Sequence, residues 1–418
     1  MAEDVLLSEL QVASDCIRRG NLALAEIICR NILQQVPDCG QASAMLGIIA
    51  ANLRLRDFAI GHFERAIAVE PTLASAHEHL RRVLEMPAQR FDQDFGQSAK
   101  RFLLIKSWGF GFWADMFHVL GALLLAEITN RVPVTAWGHN SLYSVGTKDA
   151  FRTFFEPISA FDLDAVLELE DLTLFPPKWK LANLHTDDNA KAFGNFARIG
   201  GLYLLNRPES IVVSDFYFSV VDIAPWIPGD HPLHGKTVDD LLRHLIGKYL
   251  RPTADILSAV QKFDLGDGPT IAVHVRGGGK LNGIEYPDIA DVNQTYRQHL
   301  ANIDKSWRIL LLTDDARLAD AYRKDFGSRI LLTEAQRSVG LEEMFIHGDR
   351  STTGFEIMRD TYLALRCDRF LGNGQSGVSA AISLLKPWAP GACILLKPPA
   401  FLHLQNRYIY DPSFTAAL

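Results

Sequence analysis

His274 and Arg276 close an apolar run, Thr270 to Lys280, that reads TIAVHVRGGGK. Thr270, Ile271, Ala272, Val273 and Val275 show no helical spacing, and such a β-branched run reads as a strand buried on both faces of a parallel sheet. Ligands of open α/β sheets bind at the carboxyl ends of strands, and the planar fork of arginine suits phosphate oxygens. The three glycines that follow let the backbone turn sharply with its amides directed at an anion. On residue types alone, a surface arginine beside a flexible loop is an equal reading. A second stretch, Gly372 to Gly377, reads GNGQSG. It forms a turn whose amides favour an anion at the start of a helix, or one that needs glycine for its geometry alone. The adjacent Asp314 and Asp315 are the nearest approach to a metal motif at a strand end, and no Asp-x-Asp pair stands at one.

These residues need a scaffold, and 418 residues give more than one domain. The net charge of -7 supplies no basic field for nucleic acid or an anionic membrane, so an anion must be held by a local cluster. The five cysteines, Cys16, Cys29, Cys39, Cys367 and Cys393, lack metal-site spacing and are read as reduced and buried. No apolar run is long enough to span a membrane, and the start MAEDVLLSEL lacks a signal pattern, so the expected location is cytoplasmic.

Residues 1–90 are helical in pattern and repeat. Pro37 and Pro71 lie 34 residues apart, and aligning on them pairs Ala25 with Ala59, Cys29 with Phe63 and Ile32 with Ala66. That is the tetratricopeptide period, with Leu46-Gly47, Ala59, Phe63, Ala66 and Pro71 forming the better copy. About two and a half repeats are expected, whose apolar flank must be covered by the rest of the chain, by a second copy of it, or by a partner. Pro87 to Gln97 reads as a linker. Beyond it, Phe102 to Ile105, the turn with Gly109 and Gly111, a helix to Asn130 and Val132 to Ala136 form a strand-helix-strand unit whose helix N-terminus is expected to be open to a ligand. From Gly138 to Gly268 the pattern is irregular, and Glu168, Glu170, Asp171, His185, Asp187 and Asp188 read as solvated loop residues or an acceptor surface. Strand and helix then alternate to the end. The expected fold is α/β, with two Rossmann-like domains at 100–265 and 268–418 behind an all-α layer at 1–90.

HVRGGGK at 274–280, TDD at 313–315, the helix with Asp360 and FLGNGQSGVSAAI at 370–382 resemble, in order and spacing, the GDP-fucose-dependent fucosyltransferases of the α-1,6, nodulation and protein O-fucosyltransferase types. The resemblance covers residues 100–418 with a divergent middle. It implies a GT-B fold and an inverting, metal-independent glycosyltransferase that uses no cofactor and moves fucose from GDP-fucose to a protein or glycan hydroxyl. A transferase of another GDP-sugar, or a nucleotide-binding pseudoenzyme or scaffold acting through the repeats, is the alternative. On the family's pattern Arg276 holds the β-phosphate and His274 and Asp360 the guanosine. Asn373, Ser376, Val378 and Ser379 hold phosphate and nucleoside; Gly109, Gly111 and His118 complete the donor site. Lys280 and Glu285 fall near the family's acceptor-side lysine and glutamate, which makes Arg276, Lys280 and Glu285 the expected catalytic set. The sequence departs from the α-1,6 pattern at Gly277, where many members carry a second arginine, and at Gly279. The repeats are expected to recruit a protein, and removing them to leave a soluble fragment that binds GDP.

Overall fold

The computed structural model describes residues 3–86, 101–138, 141–144, 149–185, 200–215, 218–277, 279–281, 284–286, 289–338 and 349–399, and over 279–292 the backbone alone. The stretch read as a linker, 87–97, lies outside them. Five helices come first: α1 (Glu3–Arg18), α2 (Leu22–Gln35), α3 (Gly40–Asn52), α4 (Arg56–Val69) and α5 (Ala74–Leu84). Their boundaries repeat. From α2 to α4 the start moves from 22 to 56 and the end from 35 to 69, and from α3 to α5 the start moves from 40 to 74, thirty-four residues each time. The two ends are built alike, with the Val36 amide on the Ile32 carbonyl at 2.7 Å and the Glu70 amide on the Ala66 carbonyl at 2.9 Å. Within the second pair, α3 and α4 approach so closely that a Cβ at Gly47 would lie 2.6 Å from Phe63 Cε1. Glycine is therefore required at that position.

The first α/β unit runs β1 (Phe102–Lys106), α6 (Phe112–Ile128), β2 (Val132–Ala136), α7 (Phe151–Phe154), α8 (Leu163–Leu167), β3 (Leu174–Phe175), β4 (Ile211–Ser214), α9 (Val220–Ile223), α10 (Val238–Tyr249) and α11 (Ala254–Lys262). Its sheet has the order β2-β1-β4-β3 with every pair parallel. The second unit runs β5 (Thr270–His274), a hairpin of β6 (Gly279–Leu281) and β7 (Ile284–Tyr286), α12 (Ile289–Ala301), β8 (Arg308–Leu312), α13 (Ala316–Phe326), β9 (Ile330–Leu331), α14 (Arg350–Ala364), β10 (Arg369–Gly372), α15 (Gly377–Leu385) and β11 (Cys393–Leu395). Its five parallel strands take the order β11-β10-β5-β8-β9. This is α/β architecture, two parallel sheets each flanked by helices, behind a helical layer. As expected of a central parallel strand, β5 is buried along its whole length. Ile271 and Val273 enter one core and Ala272 the other.

The helices are not a separate body. Tyr203 sends its hydroxyl to the turn before α2, accepting from the Leu22 amide at 3.0 Å and donating to the Gly20 carbonyl at 3.2 Å. Trp226 Nε1 donates to Glu26 Oε1 at 2.7 Å, the same oxygen that takes Arg30 Nε at 2.8 Å, and Phe58 packs on the Trp226 ring with centroids 5.5 Å apart. One flank of the helical layer is thus covered by the first α/β unit, and Trp226 is only 1% exposed. Between the two α/β units, Trp113 Nε1 donates to Thr361 Oγ1 at 3.0 Å, and Gly354 lies where a Cβ would be 2.4 Å from Phe154 Cζ. All five cysteines are free thiols, as read; Cys393, near the edge of its sheet, is only half-buried.

Candidate functional site

In the second unit the chain leaves β5 through β8 to β9, then returns to the opposite side of β5 through β10 and β11. The strand order therefore reverses between β5 and β10, and the crevice at their carboxyl ends is where such sheets take ligands. His274 ends β5, with Arg276 and Gly277 directly after it. Asn373 to Ser376 follows β10 and leads into α15. Ser379, one turn into α15, joins the two strands. Its Oγ accepts from the Asn373 amide at 3.2 Å and lies 2.7 Å from His274 Nδ1. Burial, together with the nearby Arg276 charge, pushes the imidazole down to about 3, so His274 is neutral near pH 7.

Ser376 takes the N-cap position of α15 with its own side chain making no cap bond. The first-turn amides of Gly377 and Val378 thus retain the role that a helix start gives them toward an anion. On the other side of β5, Thr313, Asp314 and Asp315 end β8 with divided tasks. Asp315 caps α13, accepting from the Arg317 amide at 2.8 Å, and pairs with the Arg317 guanidinium at 2.6 Å. Asp314 accepts from the Gly277 amide at 2.6 Å; burial pushes its carboxyl up, against the pull of that amide and of Arg276. The turn after β5 is thereby tied to the turn after β8, and this fixes the direction in which the chain leaves Arg276.

That tie also accounts for glycine at position 277. A Cβ there would lie 2.8 Å from Asp315 Cβ and 2.9 Å from Asp314 Oδ1. An arginine, as many α-1,6 enzymes carry, does not fit this turn unless the backbone shifts. Gly277→Ala should therefore lose stability of about 1–3 kcal/mol from overpacking, read as a lower midpoint in urea unfolding. An unchanged midpoint would show that the turn yields freely.

The other expected site residues are distributed around this centre. Asp360, on α14, has its Oδ2 on the Thr333 hydroxyl at 3.0 Å and its Oδ1 on Arg359 Nε at 2.9 Å, and burial pushes its carboxyl up. His118 is fully buried on α6, its ring set edge-on to Phe218 at 5.3 Å. The backbones of Lys280 and Glu285 are a register pair across the β6–β7 hairpin. Their side chains lie outside the described residues.

At the start of α6 the N-cap Gly111 makes no side-chain cap bond, and the glycine turn before it is tied to the helix. The Gly109 and Phe110 amides donate to the Asp115 carboxylate at 3.1 and 3.2 Å, and the Phe112 amide donates to the Tyr143 hydroxyl at 2.7 Å. The Gly109 and Phe110 amides of the glycine turn are thus engaged within the protein rather than turned to a ligand. Gly109 adopts φ 87°, which explains the glycine by geometry. Gly111 keeps an open side, since a Cβ there would meet nothing within 4 Å. Sequence reading missed Asp115, although it lies only six residues from Gly109, and it missed Tyr143, whose partner is 31 positions away. The α6 start still borders the crevice, because a Cβ at Gly377 would lie 3.1 Å from Trp113 Cβ.

No family model matches the chain, and no curated protein does. Among the solved structures similar to it are glycosyltransferases. A NodZ α-1,6-fucosyltransferase soaked with GDP-fucose is 20% identical over 69% of this chain and 94% of its own, with a TM-score of 0.44. Arabidopsis thaliana FUT1, an arginine-to-lysine mutant in complex with GDP, is 13% identical over 83% of this chain and 79% of its own, with a TM-score of 0.43. An O-GlcNAc transferase mutant of Thermobaculum terrenum is 15% identical across 100% of this chain and 91% of its own, with a TM-score of 0.25.

Proposed function

We propose that the protein is an inverting glycosyltransferase that takes a GDP-sugar, GDP-fucose in the first instance, and transfers the sugar to a protein or glycan hydroxyl. The observation that carries this reading is the convergence of Arg276, neutral His274 and the uncapped start of α15 on the crevice between β5 and β10. In an inverting transfer the acceptor oxygen attacks the anomeric carbon as its bond to the β-phosphate oxygen breaks. The departing diphosphate gains charge, and Arg276 with the Gly377 and Val378 amides would stabilise it in a site that needs little reorganisation. His274 would present Nε2 to the nucleotide, with its ring held in place by Ser379. The acceptor proton would pass to Glu285, with Lys280 opposite it in the hairpin. The helical layer, on this reading, contributes to acceptor recruitment.

A second reading, another GDP-sugar as donor, is favoured by the closed turn at Gly277, which excludes the second arginine of the α-1,6 pattern. Calorimetry with GDP, GDP-fucose, GDP-mannose and UDP separates the cases, followed by GDP release from each donor with and without chelator. We expect GDP to bind well ahead of UDP, GDP-fucose to be turned over fastest, and chelator to leave the rate within about twofold, since charge is met by arginine and amides. Preference for UDP would overturn the donor assignment. Turnover that vanishes with chelator and returns with Mn²⁺ would overturn the metal-independent mechanism.

A further inference from the structure

The chain leaves β9 through a short strap, Thr333 to Ser338, that is held at both ends. At its start the buried Thr333 hydroxyl donates to Asp360 Oδ2 at 3.0 Å, and midway the Gln336 amide donates to Glu356 Oε2 at 3.0 Å, so this part lies on α14. At its end the strap crosses to β8. The Ser338 amide donates to the Asp314 carbonyl at 3.1 Å, and the Ser338 carbonyl accepts from the Ala316 amide at 3.1 Å. Asp314 in turn holds the Gly277 amide on its carboxylate at 2.6 Å, one residue beyond Arg276. The strap therefore joins the carboxylate proposed for the guanosine to the turn proposed for the diphosphate.

A segment of irregular backbone keeps one shape only where its own polar groups find partners. Arg337 supplies them. Its Nη2 donates to the Thr333 carbonyl and its Nη1 to the Ala335 carbonyl, each at 3.0 Å, and the planar fork closes the strap on itself. The guanidinium is half-buried there, and its charge reaches Asp360 as well. Burial pushes the Asp360 carboxyl up, and Arg359, the Thr333 hydroxyl and Arg337 oppose that push. Arg359 Nε on Oδ1 and Thr333 on Oδ2 fix the carboxylate from both sides. These two partners are not alike. Arg359 is the neighbour of Asp360 in α14 and moves with it, whereas Thr333 reaches it only while the strap is closed.

We infer that Arg337 is a positioning residue: by closing the strap it sets Asp360 in register with the turn that carries Arg276, and so couples the nucleoside and diphosphate parts of the donor site. This coupling rests on the donor reading proposed above. The test is calorimetry with GDP on the full chain. Arg337→Met is expected to weaken GDP by at least about tenfold, and Arg337→Lys, which keeps charge and donors without the fork, to fall between it and the parent. In an Asp360→Asn chain the methionine change should weaken GDP by less than about threefold more, because the carboxylate whose place it sets is gone. A role in stability alone would show no such coupling. Thr333→Val, which removes one hydroxyl and leaves the arginine in place, should also weaken GDP by at least about threefold and lose that effect beside Asp360→Asn. It decides the matter if the methionine variant does not fold. Parent-like GDP affinity in both variants, or losses that add in full to that of Asp360→Asn, would overturn the inference. A parent chain that binds no GDP would overturn the donor assignment itself.

Discussion

Arg276→Ala is expected to abolish sugar transfer and to weaken GDP binding by roughly 10- to 150-fold, the equivalent of losing a charge-assisted contact of about 1.5–3 kcal/mol. The arginine is half-buried at the end of the central strand, and its charge acts on three groups around it. It helps to keep His274 neutral, and it opposes the upward push of burial on Asp314 and on the Tyr143 hydroxyl. Lysine at this position should restore only part of the affinity, because a point charge does not replace a planar fork. Calorimetry with GDP on the folded variants reads the outcome. Parent-like affinity in the alanine variant would remove Arg276 from the donor site and with it the nucleotide assignment.

The second large effect is on stability. The sequence reading expects a fragment without residues 1–90 to remain soluble and to bind GDP, and the structure revises this. Removing the helices would uncover Trp226 and Tyr203, now 1% and 7% exposed, and strip the partners from a hydroxyl and an indole N–H. Exposed apolar area of that kind promotes association. The fragment is expected to aggregate. In the full chain Trp226→Ala should cost about 3–5 kcal/mol, since it removes a large buried side chain and leaves the Glu26–Arg30 pair beside a void. Light scattering of the fragment and urea unfolding of the variant check this. A monodisperse fragment of parent-like stability would show that the helical layer is an independent body.

What the sequence disclosed was local. The strand at 270–274 follows from its β-branched run, the period of the helices from Pro37 and Pro71, and the crevice from the order of strands and glycine turns. What it concealed was contact between distant positions. Glu26 and Trp226 stand 200 residues apart, and nothing in either neighbourhood marks the pair. The same holds for Tyr143 on the Phe112 amide, and for Ser379, which reaches back 105 positions to His274. Asp314 and Asp315 stand in the sequence as the nearest approach to a metal motif until Arg317 and the α13 amides are seen upon Asp315. The middle of the chain was opaque because its order comes from scattered anchors such as Asp149, which takes the Trp137 and Phe151 amides on one oxygen, and an anchor has no periodicity.

The two helical pairs also limit how this architecture can vary. Because Gly47 leaves no slack against Phe63, a lone residue inserted between Gly40 and Gly47 within α3 would turn the glycine away from the ring by about 100°. Length can therefore change in the turns between helices or by whole modules, and not inside α3. The anchors to the first α/β unit involve the turn before α2, α2 itself, the turn after α3, where Asn206 Nδ2 donates to the Leu53 carbonyl at 3.3 Å, and Phe58 on α4, so both modules are committed. A further module could be added outward from α1, the end at which it displaces none of those anchors.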